Sequence, residues 1–183
     1  SVFPIDLSEE IEVQLSLLEE RVGARFGDFN NPLLVSVRSG SRASMPGMMD
    51  TVLNLGLNDK TVEGLANKSG DPRFAYDSYR RFIQMFGDVV MGVDHYLFEE
   101  ALDNLKLGHG ITLDTELSAK DLQQLVNSYK NIIISELNKP FPQNAKEQLW
   151  DAIAAVFGSW ITYPPSNIRV EDLPEIHGIF ISH

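Results

Sequence analysis

The order of apolar and polar positions divides the chain into two unlike parts. In the first, residues 6–22 place Ile11, Leu15, Leu18 and Val22 on one face at helical spacing. Asp6 with Glu9 three positions on forms a cap pair, and Gly23 is placed to end the run. A turn follows at Asp28-Phe29-Asn30-Asn31-Pro32, and Leu33-Leu34-Val35-Ser36-Val37-Arg38 predicts a short, mostly buried strand. Val52 to Leu57 predicts a second strand, stopped by Gly56 and Asn58-Asp59. Residues 39–51 between these strands carry neither period.

From about residue 59 the pattern is helical. Val62, Leu65 and Ala66 predict a short helix ending at Ser69-Gly70. Asp71-Pro72 joins a favoured N-cap to proline at the first helical position, and Ala75, Tyr79, Phe82, Phe86 and Val89 carry that helix onward. Phe98, Ala101, Leu102 and Leu105 mark the next, closing near Gly108. Ser118 with Asp121 opens another, continued by Leu122, Leu125, Val126, Tyr129 and Ile133. After Pro140-Phe141-Pro142 a last helix holds Leu149, Ile153, Val156, Phe157 and Trp160. The expected fold class is therefore α+β, predominantly helical. An incomplete lobe of two short strands plus a loop (1–58) joins a bundle of about five helices (59–160), and the pattern assigns no structure to the tail, 161–183. Two strands alone are marginal in water, so they must lean on the helices, pair with another chain, or belong to a larger sheet.

Composition sharpens this picture. The chain has 183 residues, and 15 Lys plus Arg against 26 Asp plus Glu give 15 − 26 = −11. A surface this acidic repels nucleic acid and anionic lipid unless its few cations cluster, so neither is an expected partner. With 43% hydrophobic residues there is enough apolar material for a core. There is no cysteine, hence no disulfide, thiolate metal site or cysteine nucleophile. No run approaches the ~18 apolar residues of a membrane span, and Ser1-Val2-Phe3-Pro4-Ile5-Asp6 lacks the basic region of a secretory signal. The expected location is cytoplasmic, with an organelle of a eukaryote left open.

The loop departs furthest from what folding alone requires. Arg38 ends an apolar strand and Arg42 follows four residues on, among Ser39, Gly40, Ser41, Ala43, Ser44, Gly47 and Thr51. Small residues let a polyanion approach backbone N–H groups, and guanidinium forks add charge-assisted, often bidentate bonds to the same oxygens. Met45, Met48 and Met49 suit the face of a flat ring such as a purine. Asp50 could orient a ribose hydroxyl, a metal-bound water or a backbone amide. The competing reading is a solvated turn whose arginines pair with nearby acids. Neither G-x-x-x-x-G-K-[ST] nor G-x-G-x-x-G occurs, so P-loop and Rossmann sites are excluded at the level of motif.

The run Ser36-Val37-Arg38-Ser39-Gly40-Ser41-Arg42-Ala43-Ser44-Met45-Pro46-Gly47-Met48-Met49-Asp50-Thr51, continued by Val52-Leu53-Asn54-Leu55-Gly56-Leu57-Asn58-Asp59, closely resembles the nucleotide-binding domain of the pyruvate phosphate dikinase family. The likeness resumes at Pro72-Arg73-Phe74-Ala75-Tyr76-Asp77-Ser78-Tyr79-Arg80-Arg81-Phe82-Ile83-Gln84-Met85 and at Phe141-Pro142-Gln143, and fades after Ala155-Val156-Phe157-Gly158-Ser159-Trp160. The resemblance implies part of an ATP-grasp lobe with its helical subdomain, binding Mg-ATP. In the whole enzyme ATP, phosphate and pyruvate become AMP, diphosphate and phosphoenolpyruvate by way of a histidine on a separate swivelling domain. Arg38 would be the catalytic and phosphate-contacting arginine, with Gly47, Met48 and Thr51 in the loop over the nucleotide and Arg42 and Asp50 beside it. The family's phosphate-binding lysine would precede residue 1, since no lysine lies between residues 1 and 59. The Mg²⁺ ligands are expected outside this chain, so it is expected to be a partial or altered copy that needs the parent's remaining domains.

Other features have structural readings. His95, His109, His177 and His183 lack the Thr-Ser-His context of a phosphoryl carrier. Arg73, Asp77 and Arg81 are spaced for an intrahelical ladder, or with Arg80 could face a partner. Tyr79, Phe82, Phe86, Phe98, Tyr129, Phe157 and Trp160 are expected in the core, and Glu9, Glu10, Glu12, Glu19 and Glu20 on a solvated face. Two further functional outcomes stay open: a non-catalytic helical interaction module or truncated copy without ATP binding, and self-association through unpaired sheet edges.

Overall fold

A computed structural model describes residues 5–39, 51–162 and 179–182. The order of elements is α1 (Ile5–Val22), β1 (Arg25–Phe26), β2 (Pro32–Leu33), β3 (Val35–Ser39), β4 (Thr51–Leu55), α2 (Thr61–Ser69), α3 (Pro72–Val89), α4 (His95–His109), a 3-10 turn at Asp114–Glu116, α5 (Ala119–Leu137), α6 (Ala145–Thr162) and β5 (Ile179–Ser182). The fold is α+β and predominantly helical, with five α-helices among the described residues after 59.

The helix signals act largely as their chemistry requires. The Asp71 carboxylate accepts the Phe74 N–H at 2.9 Å with Pro72 behind it, starting α3. Ser118 and Asp121 form a reciprocal capping box at the head of α5. Gly23 closes α1 with a positive φ of 69°, its N–H reaching the Glu19 carbonyl at 2.9 Å. Asp6, by contrast, lies inside α1 rather than ahead of it, because the helix already includes Ile5.

The strands differ more. The predicted strand over 33–38 is two pieces. Asp28 Oδ1 accepts the N–H groups of Asn30 and Asn31, both at 2.8 Å, and turns the chain so that Pro32–Leu33 runs parallel to Arg25–Phe26. Val35–Ser39 then enters a separate antiparallel sheet. That sheet has three strands in the order β4-β3-β5, with the third drawn from the tail, for which the pattern predicts nothing. Backbone hydrogen bonding to the central β3 is what its five-residue length could not announce.

Val35, Val37, Val52 and Leu55 are all 0% exposed, and they join one apolar cluster with Phe82, Phe86, Ile153 and Val156. The hairpin thus leans on α3 and α6. Phe141 sits at the centre, edge-on to Phe82 at 5.6 Å, Phe86 at 5.6 Å and Tyr79 at 6.3 Å. Tyr79, Phe82, Phe86, Phe98 and Tyr129 are buried as expected; the side chains of Phe157 and Trp160 lie outside the described residues.

Candidate functional site

Arg38 and Thr51 stand at the end of the β3–β4 pair that borders residues 40–50. Along β3 the residues alternate, Val35 and Val37 buried and Arg38 exposed, so the apolar face turns to the helices and the guanidinium to the other side. Arg38 and Thr51 are direct cross-strand partners, next to the buried pair Val37 and Val52. Opposed residues of an antiparallel pair have Cβ atoms about 4.5–5.5 Å apart, so one anion could meet both side chains. On its other flank Arg38 is paired with Phe180 of β5. Of the six expected site residues, the structure brings these two together. Arg42, Gly47, Met48 and Asp50 lie outside the described residues.

Cations of the helical body are differently employed. Arg80 is 3% exposed, its Nε 2.8 Å from Asp77 Oδ1 and its Nη2 2.7 Å from Asp114 Oδ2. Lys106 reaches Asp114 at 3.2 Å and Asp103 at 3.1 Å. Burial alone would raise the Asp114 carboxyl, but the hydrogen bonds from Lys106 and Arg80 outweigh it and hold the group below its ordinary value. Arg81 pairs with Asp77 at 3.0 Å, as a ladder predicts. Arg73 leaves the ladder: its Nε and Nη2 donate to the carbonyls of Leu117 and Asp114, each at 2.8 Å. Near the start of α3 it faces the 3-10 turn, whose carbonyls need donors. His95 lies 2.9 Å from Asp88, and His109 3.6 Å from Asp121; His177 and His183 lie outside the described residues.

Two shallow clefts are present among the described residues. One, about 330 Å³, runs along α1 beside Glu12, Val13, Ser16, Leu17 and Glu20. The other, about 410 Å³, lies between α5 and the 140–143 segment, where Lys130 is bound to Asp59 at 2.8 Å. The first offers carboxylates and the second a neutralised lysine, so neither suits a phosphate. Among the described residues no group of three or more histidines or acids could hold a metal ion, and no metal chemistry is assigned to them.

The polar residue that the pattern missed is Gln148. It occupies the buried stripe of α6 with Ala145, Leu149, Ala152 and Ile153, and is 0% exposed. Its Oε1 accepts the Gly56 N–H at 3.0 Å, while Nε2 donates to the carbonyls of Leu57 at 2.9 Å and Pro142 at 2.8 Å. A lone amide within an apolar stripe was the available signal.

The class defined by this architecture is an α+β unit in which an antiparallel strand pair is backed by a helical body. The chain matches the family described as pyruvate phosphate dikinase, AMP/ATP-binding domain, over residues 1–164, and it belongs to that family. It is 54% identical over 176 residues to pyruvate, phosphate dikinase of Rhizobium meliloti (strain 1021), covering 96% of this chain and 19% of that protein. The enzyme of the same name from Giardia intestinalis is 57% identical over 158 residues, covering 86% of this chain and 18% of the relative. The chloroplastic pyruvate, phosphate dikinase 1 of Oryza sativa subsp. japonica is 53% identical over 176 residues, covering 96% and 18%. The chain therefore spans less than a fifth of the length of these relatives. Membership of an AMP/ATP-binding family implies nucleotide binding. No helix among the described residues is long and apolar enough to cross a membrane.

Proposed function

We propose that this chain supplies part of the ATP phosphate site of a pyruvate phosphate dikinase-like phosphotransferase, with Arg38 as the group that contacts phosphate oxygens. The observation that carries this reading is the exposed Arg38 at the loop end of β3, directly opposite Thr51, in a chain of net charge −11. A planar guanidinium can make two parallel bonds to one phosphoryl group, and Thr51 can add a hydroxyl donor. Phosphoryl transfer depends mainly on positioning and on neutralising charge, which is the work Arg38 would do as transferring oxygens gain negative charge. Gly47 would let the backbone approach the phosphates, Met48 would pack on the nucleotide, and Arg42 and Asp50 would add polar contacts to phosphate and ribose.

In this reading residues 1–58 are part of an ATP-grasp lobe, 59–160 its helical subdomain and 161–183 a divergent tail. The nucleotide would enter as Mg-ATP, with magnesium ligands from outside this chain. A phosphohistidine domain would accept the phosphoryl group and pass it on, giving AMP, diphosphate and phosphoenolpyruvate from ATP, phosphate and pyruvate. The setting would be the cytoplasm or an organelle.

Calorimetric titration of the chain with Mg-ATP tests this directly. Saturable binding, weakened at least ~10-fold (about 1.4 kcal/mol) by Arg38→Ala, is the expected result. No binding at millimolar ATP would instead favour a non-catalytic helical module. The chain alone is expected to form negligible AMP and diphosphate from ATP, phosphate and pyruvate, because most of the catalytic constellation lies elsewhere.

A further inference from the structure

The segment that leaves β4 is held to the helical body by an unusual density of side-chain bonds. Both polar groups of Gly56 are taken: its N–H donates to Gln148 Oε1 at 3.0 Å, and its carbonyl accepts from Thr61 Oγ1 at 2.7 Å. Gly56 has φ of 103°, and a Cβ there would lie 2.9 Å from the Phe26 ring and 3.0 Å from the Leu33 carbonyl. A side chain at this point has no room. Downstream, the Leu57 carbonyl accepts from Gln148 and the Asn58 N–H donates to Thr61 Oγ1 at 2.8 Å. Gln143 adds an outer pair of bonds, its carbonyl accepting from Asn58 Nδ2 and its Oε1 from the Asp59 N–H, both at 2.9 Å.

Gln148 also reaches the other side of this junction, its amide donating to the Pro142 carbonyl. It is fully buried, so water cannot replace it, and each of its partners would be left unsatisfied by its loss. β4 is a strand of five residues, and a strand hardly stretches beyond ~3.3 Å per residue. The register Val35↔Leu55, Val37↔Val52, Arg38↔Thr51 carries one extra β4 residue between Val52 and Leu55, where Asn54 has φ of 61°, so the anchor at Gly56 and the pairing with β3 together set where Thr51 stands against Arg38.

We propose that Gln148 is a positioning residue for Arg38 and Thr51: it fixes the exit of β4 on α6 and so sets the placement of this pair at the opposite end of the hairpin. This rests on the reading of Arg38 as a phosphate contact. The helical body then acts on Arg38 and Thr51 through the paired strands, which carry the position of α6 past the irregularity at residues 53–54.

The test uses the full chain carrying Gln148→Met, which keeps the length of the side chain and removes all three bonds. A control, Ile133→Val, loosens the α5 core on the far side of α3. Hydrogen exchange without nucleotide is expected to rise over Val52–Leu57 and Val35–Arg38 in Gln148→Met, with α5 still protected. Mg-ATP affinity is expected to fall at least ~10-fold, while Ile133→Val leaves it within about twofold at a similar loss of Tm. Unchanged hairpin protection, or an equal loss of affinity in the control, would overturn the proposal. Should Gln148→Met not fold, Gln143→Met removes the outer bond to Asp59 and should shift the same readouts in the same direction by a smaller amount; no shift there would count against the idea. If the unmodified chain does not bind Mg-ATP, the phosphate reading fails by itself, and the exchange pattern still decides whether Gln148 holds the hairpin.

Discussion

Arg38 and Arg80 are the same side chain in opposite employment. In the helical body, Arg80 is buried and shared by Asp77 and Asp114, and Lys106 and Lys130 are likewise met by carboxylates. That body uses charge to join α3 to the 3-10 turn and to α4. The hairpin uses its backbone and a row of valines for cohesion, and turns its arginine outward beside the loop. Burial, more than residue type or local spacing, separates the two arginines: Arg80 is sealed between two carboxylates, while Arg38 reaches the surface.

The largest expected effect lies in the body. Phe82→Ala would empty the space edge-on to Phe141 and Phe86, at 5.6 and 5.4 Å, and should cost about 3–5 kcal/mol in urea unfolding. A small loss would mean that hairpin and body do not share one core. Arg80→Met comes next, at about 2–3 kcal/mol, since it removes charge-assisted hydrogen bonds from a side chain only 3% exposed. Asp77 and Asp114 keep Arg81 and Lys106 as partners, which limits the damage.

A pH series sharpens the same point. The Asp114 carboxyl is held below its ordinary value in the folded chain, so the unfolded chain binds the proton more readily. Its contribution is present above about pH 4 and lost as pH falls through the folded value. The urea midpoint should therefore drop on acidification below about pH 4, and Asp114→Asn should flatten part of that slope. Glu116 and Asp121, lowered by backbone and Ser118 hydrogen bonds, add to the same window, so the flattening is partial.

The smallest effect on stability belongs to the residue with the largest expected effect on binding. Arg38→Ala should change the unfolding free energy measured in urea by no more than about 0.5 kcal/mol, as exposed substitutions usually do. A loss matching that of Arg80→Met would erase the distinction between the two arginines.

Much of the body was legible from residue order. Asp71-Pro72, Ser118 with Asp121, and the aromatic spacing of α3 each state a local preference that tertiary packing endorses. The small-residue run after Arg38 states a bonding capacity in its side-chain types, and its residues 40–50 lie outside the described residues. Less legible were the split at Leu34, the turn of Arg73 toward the 114–117 carbonyls, and the recruitment of Ile179–Ser182 beside β3. Each depends on a partner far away in the chain, and no periodicity encodes distance in space.

What sequence alone determined is the helical periodicity, the caps and the placing of an arginine before a loop of small residues, because these are set by neighbours within a few positions. What only the tertiary structure decided is which charges are buried and which reach the surface, how β3 is flanked, and that one amide on α6 grips the exit of β4. The physical reason is that hydrogen-bond satisfaction and burial are properties of assembled surfaces, and a residue acquires them only from what packs against it.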